Sequence, residues 1–140
     1  MTGWLLDTNI LSELRRPKPN MKVVDFVATK PLDSLHVSVV TLAELRFGIA
    51  LVGDTGRRTA LADWLAATVR PMFENRVLAV TEDVMLEWRI LVEAGRKAGH
   101  TYSQPDLIIG ATALVHGLTV VSRDTDDFVR AEVPVVDPWT

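Results

Sequence analysis

A chain of 140 residues, 48% of them hydrophobic and 24% charged, is long enough to bury one core, and that balance excludes an intrinsically disordered protein. The absence of cysteine excludes disulfides, thiolate zinc sites and a cysteine nucleophile together. Fifteen basic against eighteen acidic residues leave a net charge of −3, so gripping nucleic acid by charge alone is not supported. The opening Met1-Thr2-Gly3-Trp4-Leu5-Leu6-Asp7 has no basic leader, and its apolar run stops at an acid, unlike a signal peptide. No stretch approaches the ~18 uninterrupted apolar residues of a membrane span. One soluble, cytoplasmic domain over residues 1–140, without a membrane partner, is expected.

In chain order, Trp4-Leu5-Leu6 reads as a short strand that stops at Asp7-Thr8-Asn9, residues that favour caps and turns. Ile10, Leu11 and Leu14 recur at helical spacing until Pro17 and Pro19. Met21 to Thr29 gives a second helix with Val23, Val24 and Val27 on one face. Leu35 to Val40 alternates and is rich in β-branched residues, which predicts a strand. Thr41 then opens a helix with a stripe of Leu42, Leu45, Ile49 and Val52, and Gly53 to Gly56 is a turn. A long amphipathic helix carrying Leu61, Trp64, Leu65 and Val69 runs to about Arg70. Val77 to Val80 is a brief strand, Thr81 to Lys97 a helix, and His100 to Ser103 a loop. Pro105 to His116 is apolar on most sides, hence a buried helix, and Gly117 stops it. Leu118 to Val121 is a strand, Ser122 to Asp127 an acidic turn, and Val133 to Val136 a last strand whose Pro134 marks a sheet edge. Short strands separated by helices predict an α/β domain with a parallel sheet covered on both faces.

In such sheets the site lies beyond the carboxyl ends of the strands, and that selects among the eighteen acids. Asp7 follows the first strand, Glu44 lies just after the second, and Asp124 follows the strand ending at Val121, with Asp126 and Asp127 behind it. Asp106 opens the helix that leads into that strand. Each has a plain structural reading as well. Thr41-Leu-Ala-Glu44 and Ser103-Gln-Pro-Asp106 fit the pattern of a helix-start box, Asp7 fits a helix N-cap, and Asp124 to Asp127 fits a solvated turn. Jointly they read differently, because two carboxylates ~4 Å apart repel by about 4 kcal/mol at an effective dielectric of 20. Four acids that converge persist only with bound cations or raised pKa values. Oxygen donors without cysteine or a histidine pair suit Mg²⁺ or Mn²⁺ rather than Zn²⁺.

Four segments in order carry a resemblance: Leu5-Leu6-Asp7-Thr8-Asn9-Ile10, Ser38-Val39-Val40-Thr41-Leu42-Ala43-Glu44-Leu45, Pro105-Asp106-Leu107-Ile108-Ile109-Gly110-Ala111, and Val121-Ser122-Arg123-Asp124 with Asp127-Phe128. They resemble the PIN-domain ribonucleases, and within them the VapC and FitB toxins of bacterial toxin–antitoxin pairs, over nearly the whole chain. The resemblance implies a three-layer α/β/α sandwich around a central, mainly parallel sheet, a single PIN-like domain, with the acids in a central pocket. It places Asp7, Glu44 and Asp106 in the first three acidic positions and Asp124 in the fourth, where many relatives carry Asn and where Asp127 lies nearby. Asn9 and Ser122 match supporting polar positions. The implied activity is a metal-dependent endoribonuclease, with Mg²⁺ or Mn²⁺ held by Asp7 and Asp106 and completed by Glu44 and Asp124. The implied partners are RNA, a cognate VapB- or FitA-like antitoxin that plugs the acidic groove, and a second copy in a homodimer.

Arg15, Arg16, Arg46, Arg57 and Arg58 are candidates to steer the RNA backbone, or else solvated helix faces. His36 and His116 read as structural, His100 as a loop residue within reach of substrate, and Trp64, Met85 and Trp88 as core or subunit contact. Two rival functions stand beside the nuclease. An aspartyl-nucleophile phosphohydrolase would use Asp7 but needs an acid two residues on, where Asn9 stands. A weakly catalytic or non-catalytic subunit would instead bind a DNA-binding antitoxin and support its hold on an operator.

Overall fold

A computed structural model describes residues 3–140, so Met1 and Thr2 of the leader reading lie outside the described residues. The elements are β1 (Trp4–Leu6), α1 (Thr8–Leu14), α2 (Met21–Thr29), β2 (Leu35–Ser38), α3 (Val39–Ala50), α4 (Thr55–Trp64), α5 (Arg70–Met72), β3 (Val77–Leu78), α6 (Glu82–Lys97), α7 (Gln104–His116), β4 (Thr119–Val121), α8 (Asp126–Arg130) and β5 (Val135–Val136). All strand pairs are parallel, in the order β3-β2-β1-β4-β5. No helix among the described residues is long and apolar enough to cross a membrane.

The period of two along the central strands builds the layers. Leu6 and Val121, paired in register, face one core together with Ile10, Leu11, Val23, Leu42, Leu45 and Phe73. Their neighbours Leu5 and Val120, also paired, face the opposite core with Ile109, Ala113 and Phe128. Both sheet faces are thereby covered by helices, which is why β1 and β4 read as unbroken apolar runs. A third cluster of Val84, Leu91, Tyr102, Leu107 and Ala111 packs α6 onto α7. This is the three-layer α/β/α sandwich that the sequence predicts.

Several boundaries differ from the sequence expectation, each for a local reason. β2 ends at Ser38, not Val40, because the Ser38 hydroxyl accepts from Val40 N–H at 3.0 Å and caps α3 two residues early. β3 stops at Leu78 and β5 begins at Val135, so both edge strands are two residues long. The long helix to about Arg70 is present but opens into a π-helical turn, Leu65–Val69, before α5. The acidic turn does not persist to Asp127: Asp126 and Asp127 begin α8, whose Phe128 is buried in the second core. Pro134 does mark an edge, next to β5 at one side of the sheet.

Candidate active site

The chain leaves β1 toward β2 and β3 on one side and returns to β4 and β5 on the other, so the carboxyl ends of β1 and β4 form the switch point where α/β sheets bind ligands. Asp7 follows β1 there and Ser122 follows the adjacent β4. α7 feeds β4 through the short turn at Gly117 and runs back across the sheet, which brings its first turn, with Asp106, to the same end. Glu44 reaches it from α3.

Asp7, Glu44, Asp106 and Asp124 line one cleft of about 540 Å³ together with Thr8, Asn9 and four charged residues, Glu13, Arg15, Arg16 and Arg123. Asp7 is only 5% exposed. Its Oδ1 accepts from Thr8 N–H at 2.8 Å, as an N-cap, and its Oδ2 accepts from the Ser122 hydroxyl at 2.7 Å. Burial raises the Asp7 pKa above the ordinary carboxylate value, and the charge of Asp124 adds to this, while the Ser122 and Thr8 bonds oppose it. Ser122, fully buried, is a hub. It gives its one proton to Asp7 and accepts from Asn9 Nδ2 and from Asp124 N–H, both at 3.1 Å. Asn9 Oδ1 in turn accepts from Arg123 N–H at 3.3 Å, so one side chain braces the loop that carries Asp124. With both ends engaged in this way, Asn9 has no acid to offer, which disfavours the aspartyl-nucleophile rival.

The two helix-start boxes predicted from sequence do not form. Glu44 lies well inside α3, exposed, and its Oε1 accepts from the Thr8 hydroxyl at 2.9 Å; Thr41 is fully buried and lies 3.4 Å from the same hydroxyl. Ser103 stands at the N-cap of α7 without a side-chain cap bond. Asp127, from α8, instead takes the bond that Asp106 would make in the box, accepting from Ser103 N–H at 3.2 Å, and pairs with His100 Nε2 at 3.1 Å. His100 also packs edge-on against Tyr102, so it is a structural partner of Asp127.

Asp106 carries the strongest electrostatic signature. It is half-buried, and its pKa is pushed up to about 6, first by burial and then by the charges of Asp7, Glu44, Asp124 and Asp127. Four acids from three other chain segments thus act on one carboxyl, and a hard divalent cation answers that donor set: all-oxygen, mutually repelling and held at the sheet end. The arrangement is open, since among the described residues no group of three acids or histidines stands close enough to enclose an ion. The donor chemistry fits such a cation, and Glu44 and Asp124 are exposed at the cleft.

The arginines predicted to steer RNA divide by location. Arg15 and Arg16 line the acidic cleft, Arg57 a side groove that opens from it, and Arg46 and Arg58 a separate cleft between α3 and α4. Sequence reasoning missed Thr8, which tethers Glu44, and Arg123, whose guanidinium sits 5.1 Å from the ring centre of Trp139 at the cleft rim. It also missed Glu13, which accepts from Asn20 N–H at 2.9 Å and has its pKa lowered by that bond and by Arg16. Arg123 had a signal in its place beside Asp124; Glu13, in the last turn of α1, had none.

The PIN-domain family profile matches residues 4–134. The chain is 37% identical to toxin FitB of Neisseria gonorrhoeae over 96% of its length and 97% of that protein. It is 34% identical to VapC ribonuclease Y4jK of Sinorhizobium fredii over 96% of both chains. It superposes on a chain in the structure of FitAB bound to the IR36 DNA fragment with a TM-score of 0.92 and 34% identity, over 98% of this chain and 96% of that one. With acids at the sheet's switch point and matches over nearly its whole length, the chain belongs to the PIN-domain family, among the VapC ribonucleases and FitB toxins.

Proposed function

We propose that this chain is the ribonuclease toxin of a toxin–antitoxin pair, a single PIN-like domain that hydrolyses RNA phosphodiester bonds at the acidic cleft in the cytoplasm. The observation that carries the reading is the convergence of Asp7, Glu44, Asp106 and Asp124 on one cleft, where burial and then the neighbouring acids push the half-buried Asp106 carboxyl up to about 6. Such a group is costly unless a cation or a proton neutralises it.

Asp7 and Asp106 would hold Mg²⁺ or Mn²⁺, with Glu44 and Asp124 completing the set. When bound, such a cation supplies Lewis-acid polarisation of the phosphodiester and a lower pKa for the attacking water. The protein's own part is positional. Thr8 and Ser122 fix both oxygens of Asp7, and Thr8 draws Glu44 toward the same point. Arg15, Arg16 and Arg123 at the rim offset the acids for an incoming phosphate, which a chain of net charge −3 otherwise repels. A VapB- or FitA-like antitoxin and a second copy of the chain are the proposed protein partners, by likeness to these relatives.

The experiment is cleavage of a mixed cellular RNA pool by the purified chain with Mg²⁺, with Mn²⁺ and with EDTA, using Asp7→Asn as control. Cuts that need the cation and vanish in Asp7→Asn support the reading; equal cleavage by both proteins, or none, sinks it. A second reading has one observation in its favour, the likeness to a FitAB chain in a DNA-bound structure. In it the chain serves mainly to hold a DNA-binding antitoxin on its operator, and the Asp7→Asn complex would retain full operator affinity with no RNA cleaved by either form.

A further inference from the structure

A side groove of about 240 Å³ opens from the acidic cleft, sharing Thr8, Ser12, Arg15 and Glu44 with it and continuing between Gly48 of α3 and Arg57, Leu61 and Trp64 of α4. Gly48 is the telling position. Glycine inside a helix is less stable than alanine, and it is usually kept where the backbone needs a left-handed conformation or another atom approaches closely. Neither holds here. The left-handed glycines are Gly99 and Gly117, and a Cβ built on Gly48 meets no heavy atom within 4 Å. What a side chain there would do is fill the groove.

The other walls have a consistent chemistry. Trp64 offers a half-buried aromatic ring, with the Arg15 guanidinium 5.9 Å from its centre. Neither Arg15 nor Arg57 is in an ion pair among the described residues. An aromatic ring with guanidinium groups beside it that make no ion pair is how proteins hold unstacked bases of single-stranded RNA, the ring taking the base and the charges its phosphates. Resting on the ribonuclease reading, we propose that this groove receives the nucleobase next to the scissile phosphate, with Gly48 keeping it open and Trp64 as the stacking surface. Charge and continuity favour RNA: no carboxylate lines the groove beyond Glu44 at its mouth.

The test measures binding, so that it stands apart from turnover. A fluorescein-labelled, mixed-sequence single-stranded RNA is titrated with full-length Asp7→Asn protein in Mg²⁺, with and without Gly48→Leu. The expected result is a Kd about tenfold weaker for Gly48→Leu, the size of one lost stacking contact, with a melting temperature no lower than its parent's. Arg57→Ala, on an exposed helix face, is expected to weaken binding about threefold and guards against any misfolding of the first variant. Equal RNA affinity in all three proteins overturns the groove assignment and leaves the nuclease reading standing. Equal RNA affinity together with quenching of Trp64 fluorescence by an Arg-bearing amphipathic helical peptide, lost in Gly48→Leu, assigns the groove to a peptide instead. Absence of both RNA binding and RNA cleavage by the wild-type chain in Mg²⁺ overturns both.

Discussion

The Ser122 hydroxyl donates to Asp7 Oδ2 across 2.7 Å, between two residues that are both buried and that end adjacent strands. Among the described residues that hydroxyl is the acid's only side-chain donor, and the acid's raised pKa shows that burial still outweighs that help. Ser122→Ala is therefore expected to cost about 1.5–3 kcal/mol, the range for a bond to a charged group, because Asn9 and the Asp124 N–H lose their acceptor as well. Urea unfolding at neutral pH checks the stability. A fall in kcat of about tenfold or more, with KM little changed, is expected from the misplaced Asp7.

Asp106 sets a dependence on pH in the cation-free protein. Its folded pKa of about 6 lies above its ordinary value of 3.8, and Asp7 is shifted in the same direction. Their contribution to stability is thus fully present below about pH 4 and is lost as pH rises through about 6. Asp106→Asn removes the acid that titrates, and in EDTA at pH 8 it is expected to stabilise the fold by about 1 kcal/mol once solvent screening of a half-exposed group is allowed for. Thermal unfolding at pH 5 and pH 8 checks it: the variant's gain should be about half as large at pH 5, inside that window, as at pH 8. A loss of stability at pH 8 would show that the carboxylate is not strained.

Mg²⁺ is expected to raise the melting temperature of the wild-type chain at pH 8 by about 2–4 °C, through binding to the folded state alone, and to leave Asp7→Asn unmoved. The comparison with the same ionic strength of NaCl separates site binding from general screening. An equal rise in both proteins would mean that the cleft is not where the cation acts.

Asp127 works through its neighbours. It holds the start of α7 by Ser103 N–H, pairs with His100 and adds to the charge on Asp106. Asp127→Asn is expected to lower the titration midpoint of Asp106 in the cation-free protein, followed by carboxyl-carbon NMR. Asp127→Ala is expected to cost about 1 kcal/mol and to speed amide exchange in the first turn of α7, as loss of a helix cap does. Unchanged exchange at Ser103 would remove this role.

Gly95 offers the reverse of the Gly48 case. A Cβ there would come within 2.5 Å of the Tyr102 ring, on the face where α6 packs against the loop before α7. Gly95→Ala is expected to destabilise by about 1–3 kcal/mol despite alanine's better helix propensity, as overpacked sites do. Denaturant unfolding of the single variant measures it.

The central strands and the acids behind them were legible because each rests on a local signal: an apolar run buried on both faces, ending at a polar turn. Asp7 after Leu6 and Ser122 after Val121 are of that kind. Helix starts were less so, because several residues competed for each cap. Ser38 took the cap that Thr41 also fitted, and Asp127, from another element, took the bond to Ser103 N–H that Asp106 would make in its box. The short α8 was hidden by its acids, which read as a turn until Phe128 found the second core. Electrostatic coupling at Asp106 could be argued from convergence alone, and its extent needed the burial that only the folded chain supplies.

The parallel pairing of β1 with β4 also sets a timetable. Trp4 to Leu6 are made well before their partner, Thr119 to Val121, which lies more than a hundred residues further along the chain. Contacts so far apart in the chain form late and together, since the loop must close before they are repaid. A chain without β4 carries Asp7 but not the Ser122 hydroxyl that holds it, so the acidic cleft takes shape only once these two distant strands have paired.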